Sequence, residues 1–119
     1  MYRVRLCLSL PNNRSDREGI EMISDPRDIA AHAANLVTGE KQDSYGHPFD
    51  DFNRAAKIWE AILGVEVTAE QVALCMVGVK ISRQANAAKL DNIVDGIGYF
   101  LTLAMVQEER IERAKNENT

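Results

Sequence analysis

Hydrophobic positions change their period once along this chain. From Tyr2 to Leu10 the apolar residues Tyr2, Val4, Leu6, Leu8 and Leu10 alternate with Arg3, Arg5, Cys7 and Ser9, the period of a strand. A lone strand has no partner here unless another subunit supplies one, and Pro11-Asn-Asn-Arg-Ser-Asp16 reads as a loop. Residues 1–25 are expected to form an arm or extended segment outside the main fold.

From Asp25 onward the period is helical. Asp25-Pro26 is an N-cap followed by proline at the first helical position, after which Ile29, Ala33, Leu36 and Val37 share a face and Gly39 is the stop. Glu40–Pro48 reads as a loop. A second helix is expected from near Phe49, carrying Phe52, Ala55, Ala56, Trp59 and Ile62, to Gly64. Thr68-Ala-Glu-Gln71 has the form of a capping box. It opens a third helix to about Asn86, with Val72, Cys75, Met76 and Val79 as the expected buried stripe. After the short connection Ala87–Leu90, a fourth helix begins near Asp91. Its apolar stripe is Ile93, Ile97, Phe100, Leu101 and Ala104, with Asp91, Asp95, Gly98 and Thr102 in a second stripe beside it. The charged tail is expected to fray. The pattern predicts an all-α protein, an antiparallel bundle of about four helices over residues 26–114, with an N-terminal arm over 1–25 and a frayed end over 115–119.

At 119 residues the chain has the length of one domain, small enough for self-association to help bury its apolar stripes. A net charge of −4 leaves no basic excess for general nucleic-acid binding. Cys7 and Cys75 are far apart in sequence and belong to no ligand-spaced cluster, which points to reduced thiols and a cytoplasmic protein. No apolar run approaches the roughly 20 residues needed to cross a bilayer, and residues 2–10 lack the core of a signal peptide.

Candidate chemistry concentrates between Lys80 and Tyr99. Asp91 and Asp95 stand one turn apart on the fourth helix, and a cation between them offsets their repulsion. Without any metal, Asp91 would be the helix N-cap and Asp95 a first-turn acid favoured by the helix dipole. Lys80 and Arg83, one turn apart on the third helix, suit phosphate oxygens, the arginine as a fork and the lysine as a point charge; solvated or salt-bridged surface roles remain open. Gly96 and Gly98 each cost roughly 1 kcal/mol inside a helix relative to alanine. Close approach of a helix or of a ligand would compensate. In Tyr45-Gly46-His47-Pro48 the tyrosine offers a stacking face and the histidine a polar reader for a nucleobase, or the turn packs its ring on the core. Asp50 and Asp51 open the second helix, where they satisfy its dipole and are further candidate metal ligands.

Five separate patterns in order carry a resemblance: Tyr45-Gly-x-Pro-x-x-x-Phe52, Trp59-x-x-x-Leu-Gly64, Val72-Ala-Leu-x-Met76, Lys80-Ile-x-Arg83 and Asp91-Asn-x-x-Asp95-x-x-Gly-Tyr99. Preceded by Leu36-Val-Thr-Gly39, they resemble a small phage and prophage family of unknown function over about residues 28–107. Its fold and acidic helix look similar to the MazG-like all-α nucleoside triphosphate pyrophosphohydrolases. That resemblance implies Mg2+ (or Mn2+) held by acidic residues of adjacent helices, a nucleoside triphosphate substrate, and release of nucleoside monophosphate and pyrophosphate. It also implies a homodimer or homotetramer. Carried onto this sequence, Asp91 and Asp95 are the catalytic and metal-binding acids, with Asn92 and Asp51 as further ligands. Lys80 and Arg83 hold phosphates, and Tyr45, His47 and Tyr99 contact the substrate. The departure is that no E-x-x-E occurs on the second or third helix, where Asp50, Asp51 and Glu60 are imperfect substitutes. A nucleotide-binding module without hydrolysis and a helical phage accessory protein are the alternatives.

Overall fold

A computed structural model describes residues 25–118, and all the regular structure in this range is helical. The strand expected over Tyr2–Leu10 lies outside the described residues. The elements are α1 (Pro26–Thr38), α2 (Glu40–Tyr45), α3 (Pro48–Leu63), α4 (Ala69–Asn86) and α5 (Leu90–Glu117). Four long helices were expected and four are present, with the short α2 where the sequence reads as a loop.

The helix ends follow local chemistry. Asp25 caps α1 by accepting the Arg27 N–H at 2.9 Å, and Pro26 occupies the first turn, where no N–H is needed. Both arms of the Thr68/Gln71 capping box form, at 3.1 and 2.9 Å. Gly64 ends α3 in the left-handed region (φ 73°), and its N–H reaches the Glu60 carbonyl at 2.8 Å. Side chains stitch the joint between α4 and α5: Gln84 Oε1 accepts from the Lys89 N–H at 2.9 Å and from Asn92 Nδ2 at 3.3 Å.

All the long helices meet on α5, a rod of about 42 Å at 1.5 Å per residue. α4 returns along it antiparallel, as the pairs Glu70–Arg110 and Lys80–Asp95 show: the number rises on one helix as it falls on the other. α1 and α3 also pack on α5, and α2 bridges them. The buried stripe of α5 is Val94, Gly98, Thr102 and Val106, against Ala33 of α1, Ala56 of α3 and Val72, Ala73 and Val77 of α4. This differs from expectation. The stripe read as core on α5 leaves Ile93 42% and Phe100 53% exposed, and on α4 Cys75 and Val79 are exposed. The apolar residues of α4 run unbroken from Val72 to Val79 and so spread around the helix, and its periodicity does not select a face. On α5 the face with the largest side chains is not the one its neighbours within the chain cover. Gly98 accounts for the tight approach of α1: a Cβ there would stand 3.2 Å from Val37 Cγ1.

The C-terminal stretch is helical to Glu117. An ionic clasp holds it. Arg113 grips Asp50 of α3 in a bidentate pair (2.9 and 3.0 Å), donates from Nε to Glu109 at 2.9 Å, and lies 4.4 Å over the Phe49 ring. Arg110 stands over the same ring at 5.2 Å and pairs with Glu70 at 2.7 Å. The Arg113 guanidinium holds the Asp50 carboxyl below its ordinary value of 3.8. A carboxyl depressed by folding contributes stability above its unfolded value, and this is lost as the pH falls through the folded one. Asp50→Asn is therefore expected to lower Tm modestly at pH 7, with the gap from wild type closing in melts taken below pH 3.8. Arg113→Ala is expected to speed amide exchange of residues 110–117 about tenfold while that of 94–106 stays protected.

Candidate functional site

Among the described residues, a cavity of about 390 Å³ lies between α1, α2, α3 and the α4–α5 hairpin. This lies within the usual range for small-molecule sites. Its polar wall is built by three helices. Lys80, from α4, lies 3.0 Å from Asp95 Oδ2 on α5, with the lysine side chain 13% and the aspartate 32% exposed. Asp51, from the first turn of α3, lines the same space and has Arg54 at 3.8 Å, too long for a hydrogen bond. The aromatic wall comes from Tyr45 at the end of α2, 60% exposed, and from Phe52 and Tyr99, whose rings are 6.4 Å apart and inclined at 40°. Gly98 and Thr102 form the floor, the threonine hydroxyl donating to the Gly98 carbonyl at 2.8 Å, which satisfies it internally.

Of the residues expected to form a site, Tyr45, Asp51, Lys80, Asp95 and Tyr99 line this cavity together. The others stand elsewhere. Asp91 is exposed on the first turn of α5, one turn short of Val94, where the cavity wall begins. Asn92 turns its amide to Gln84 and to the Ala87 carbonyl at 3.4 Å, a structural role at the joint. Arg83 follows Lys80 by three residues, which carries it past the cavity into a separate shallow depression with Lys89 and Asn92. His47 caps α3: its Nδ1 accepts the Phe49 N–H at 3.0 Å, which fixes Nε2 as the protonated nitrogen, 3.9 Å from Glu109. The ligand set Asp91, Asp95, Asn92 and Asp51 therefore does not converge. Among the described residues no three His, Cys, Asp or Glu side chains stand close enough to share a metal. Of that set, Asp51 and Asp95 line the cavity. Mg2+ is commonly held by one or two carboxylates together with substrate phosphates and water, so these side chains are chemically suited to an ion that arrives on a nucleotide rather than to a preformed cage.

Sequence reasoning missed Gln42 and Thr102 as cavity residues, and assigned Phe52 only to the core. Gln42 lies in a stretch that reads as a loop, so nothing in the sequence signals its direction.

Residues 28–107 match the family described as a domain of unknown function, DUF6378. The chain belongs to that family. All of the cavity-lining residues named above fall within the DUF6378 region. Two curated relatives are the Gene 55 protein of Mycobacterium phage L5, 34% identical over 87 residues, and the Gene 55 protein of Mycobacterium phage D29, 31% identical over 85. Each alignment covers 71% of this chain and 56% of the relative, so the chain spans about half the length of the curated relatives it matches. No solved structure matches the DUF6378 chain.

The mostly buried Lys80–Asp95 pair has a measurable consequence. Asp95→Ala leaves an ammonium in a low-dielectric wall and is expected to cost more stability than Lys80→Met, which removes the charge with the stem volume kept. A double-mutant cycle by urea unfolding is expected to give a coupling of about 1–2 kcal/mol, above that of an exposed pair.

Proposed function

We propose that this cavity is a nucleotide site, and that the protein is a Mg2+-dependent (deoxy)nucleoside triphosphate pyrophosphohydrolase giving nucleoside monophosphate and pyrophosphate. The observation that supports it is the convergence of Asp51, Lys80 and Asp95 from three helices beside an aromatic wall. Mg2+ bound with the nucleotide would supply charge neutralisation and a lowered water pKa. Asp95 and Asp51 would hold it, and Lys80, freed from Asp95, would place its ammonium on the phosphate chain. Tyr45, with most of its ring accessible at the mouth, offers a stacking face for the base. In the reaction a water oxygen bonds to the α-phosphorus, the bridging α–β P–O bond breaks, and pyrophosphate leaves with the bonding electrons. The water proton passes to solvent.

A second reading, binding without hydrolysis, is favoured by the two-carboxylate donor set, since nucleotide affinity needs fewer acids than turnover. Incubation with each common NTP and dNTP plus Mg2+ or Mn2+, with products resolved, separates the two. The hydrolase reading expects pyrophosphate and monophosphate from at least one nucleotide. Asp95→Asn would lower kcat by 100-fold or more, and Lys80→Met would raise KM with a smaller effect on kcat. Binding seen by calorimetry without product selects the second reading, and neither binding nor turnover defeats both.

A further inference from the structure

Among the described residues, the α4–α5 hairpin is covered on one face, by α1 and α3. The pairs Glu70–Arg110 and Lys80–Asp95 fix the rotation of the two helices about their axes. At about 100° per residue, the side turned away from α1 and α3 then carries Ile93, Ile97, Phe100, Ala104, Gln107 and Ile111 on α5. These follow one another in steps of four, three, four, three and four residues, the spacing of a coiled-coil seam. Ile93 is 42%, Phe100 53% and Ile111 58% exposed. On α4 the same side carries Leu74, Gly78 and Ile81, 49% and 64% exposed at the leucine and isoleucine. None of these positions is charged.

We infer that this bare face is the interface of a two-fold homodimer in which the hairpins of two copies pack as four helices. The occupant is a second copy for three reasons. A period of 3.5 residues is matched by a helix, whereas residues 1–24 of this chain have an alternating apolar stretch suited to a strand. The patch is its own complement: about an axis passing between Phe100 and Ala104, the large ring of one copy meets the small side chain of the other, and Ile93 meets Ile111, as an isologous contact requires. The patch is also large enough. Two adjacent helices over the 27 Å or so of the seam present a footprint of roughly 500 Å². Its corrugated accessible surface then approaches the ~800 Å² per partner of a stable complex. Helical Gly78 and Gly96 fit the same placement, since a Cβ at either would meet nothing within 4 Å among the described residues. Each costs about 1 kcal/mol against alanine, and the approach of a second hairpin offsets it.

Light scattering during gel filtration of the full chain tests this. The expected mass is twice 13.3 kDa at micromolar concentration, falling to 13.3 kDa for Phe100→Glu with its helical circular dichroism kept. Wild-type Tm should rise with protein concentration and that of Phe100→Glu should not. Should Phe100→Glu fail to fold, Ala104→Cys in a Cys7→Ser, Cys75→Ser background decides: a short bismaleimide is expected to join two chains. A wild-type mass of 13.3 kDa up to tens of micromolar, with no cross-link, overturns the inference. So does dimerisation that appears only after residues 1–24 are removed, which would make that segment the occupant.

Discussion

The stripe Val94, Gly98, Thr102 and Val106 on α5 is the constraint on which the rest depends. Its residues recur every four positions, so they wind slowly around the rod and meet several neighbours in turn. Their small size decides what those neighbours do. Gly98 lets Val37 come into contact, and with Thr102 it leaves floor space for a cavity where larger residues would have filled it. The threonine hydroxyl is spent on the Gly98 carbonyl, so the stripe buries no unsatisfied polar group.

From that stripe the polar wall follows by phase. Asp95 and Tyr99 sit beside the buried positions, close enough to the core for Lys80 to be largely shielded from water and close enough to the edge for Asp95 to stay a third exposed. A carboxylate–ammonium pair in such a setting is neither a dry structural bridge nor a loose surface contact. It can exchange partners with an entering anion at modest cost, because each charge keeps some access to solvent.

Much of the fold was legible. The caps at Asp25, Thr68 and Gly64 are local chemistry, readable from a few neighbouring residues, and they place the ends of α1, α3 and α4. The core phase of α4 and α5 was not. Periodicity reports which face is apolar, not which neighbour covers it, and Ile93 and Phe100 outweigh Gly98 and Thr102 on any hydropathy scale. The candidate site was legible as a set of residue types but not as a constellation. Tyr45, Asp51, Lys80, Asp95 and Tyr99 meet, whereas Arg83, Asp91 and Asn92, equally good by spacing, belong to the joint between helices or to solvent. The arginine clasp was invisible because Arg113 and Asp50 lie 63 residues apart and no local pattern links them.

Because α5 carries core, cavity wall and clasp on one unbroken rod, its length is fixed by geometry as strictly as its composition. One residue inserted between Thr102 and Arg110 would turn everything beyond it by about 100° and advance it by 1.5 Å. Asp95 and Tyr99 would keep their places while Arg110 and Arg113 swung away from Glu70, Phe49 and Asp50. The sequence can drift in side chain along this helix, but it cannot change count.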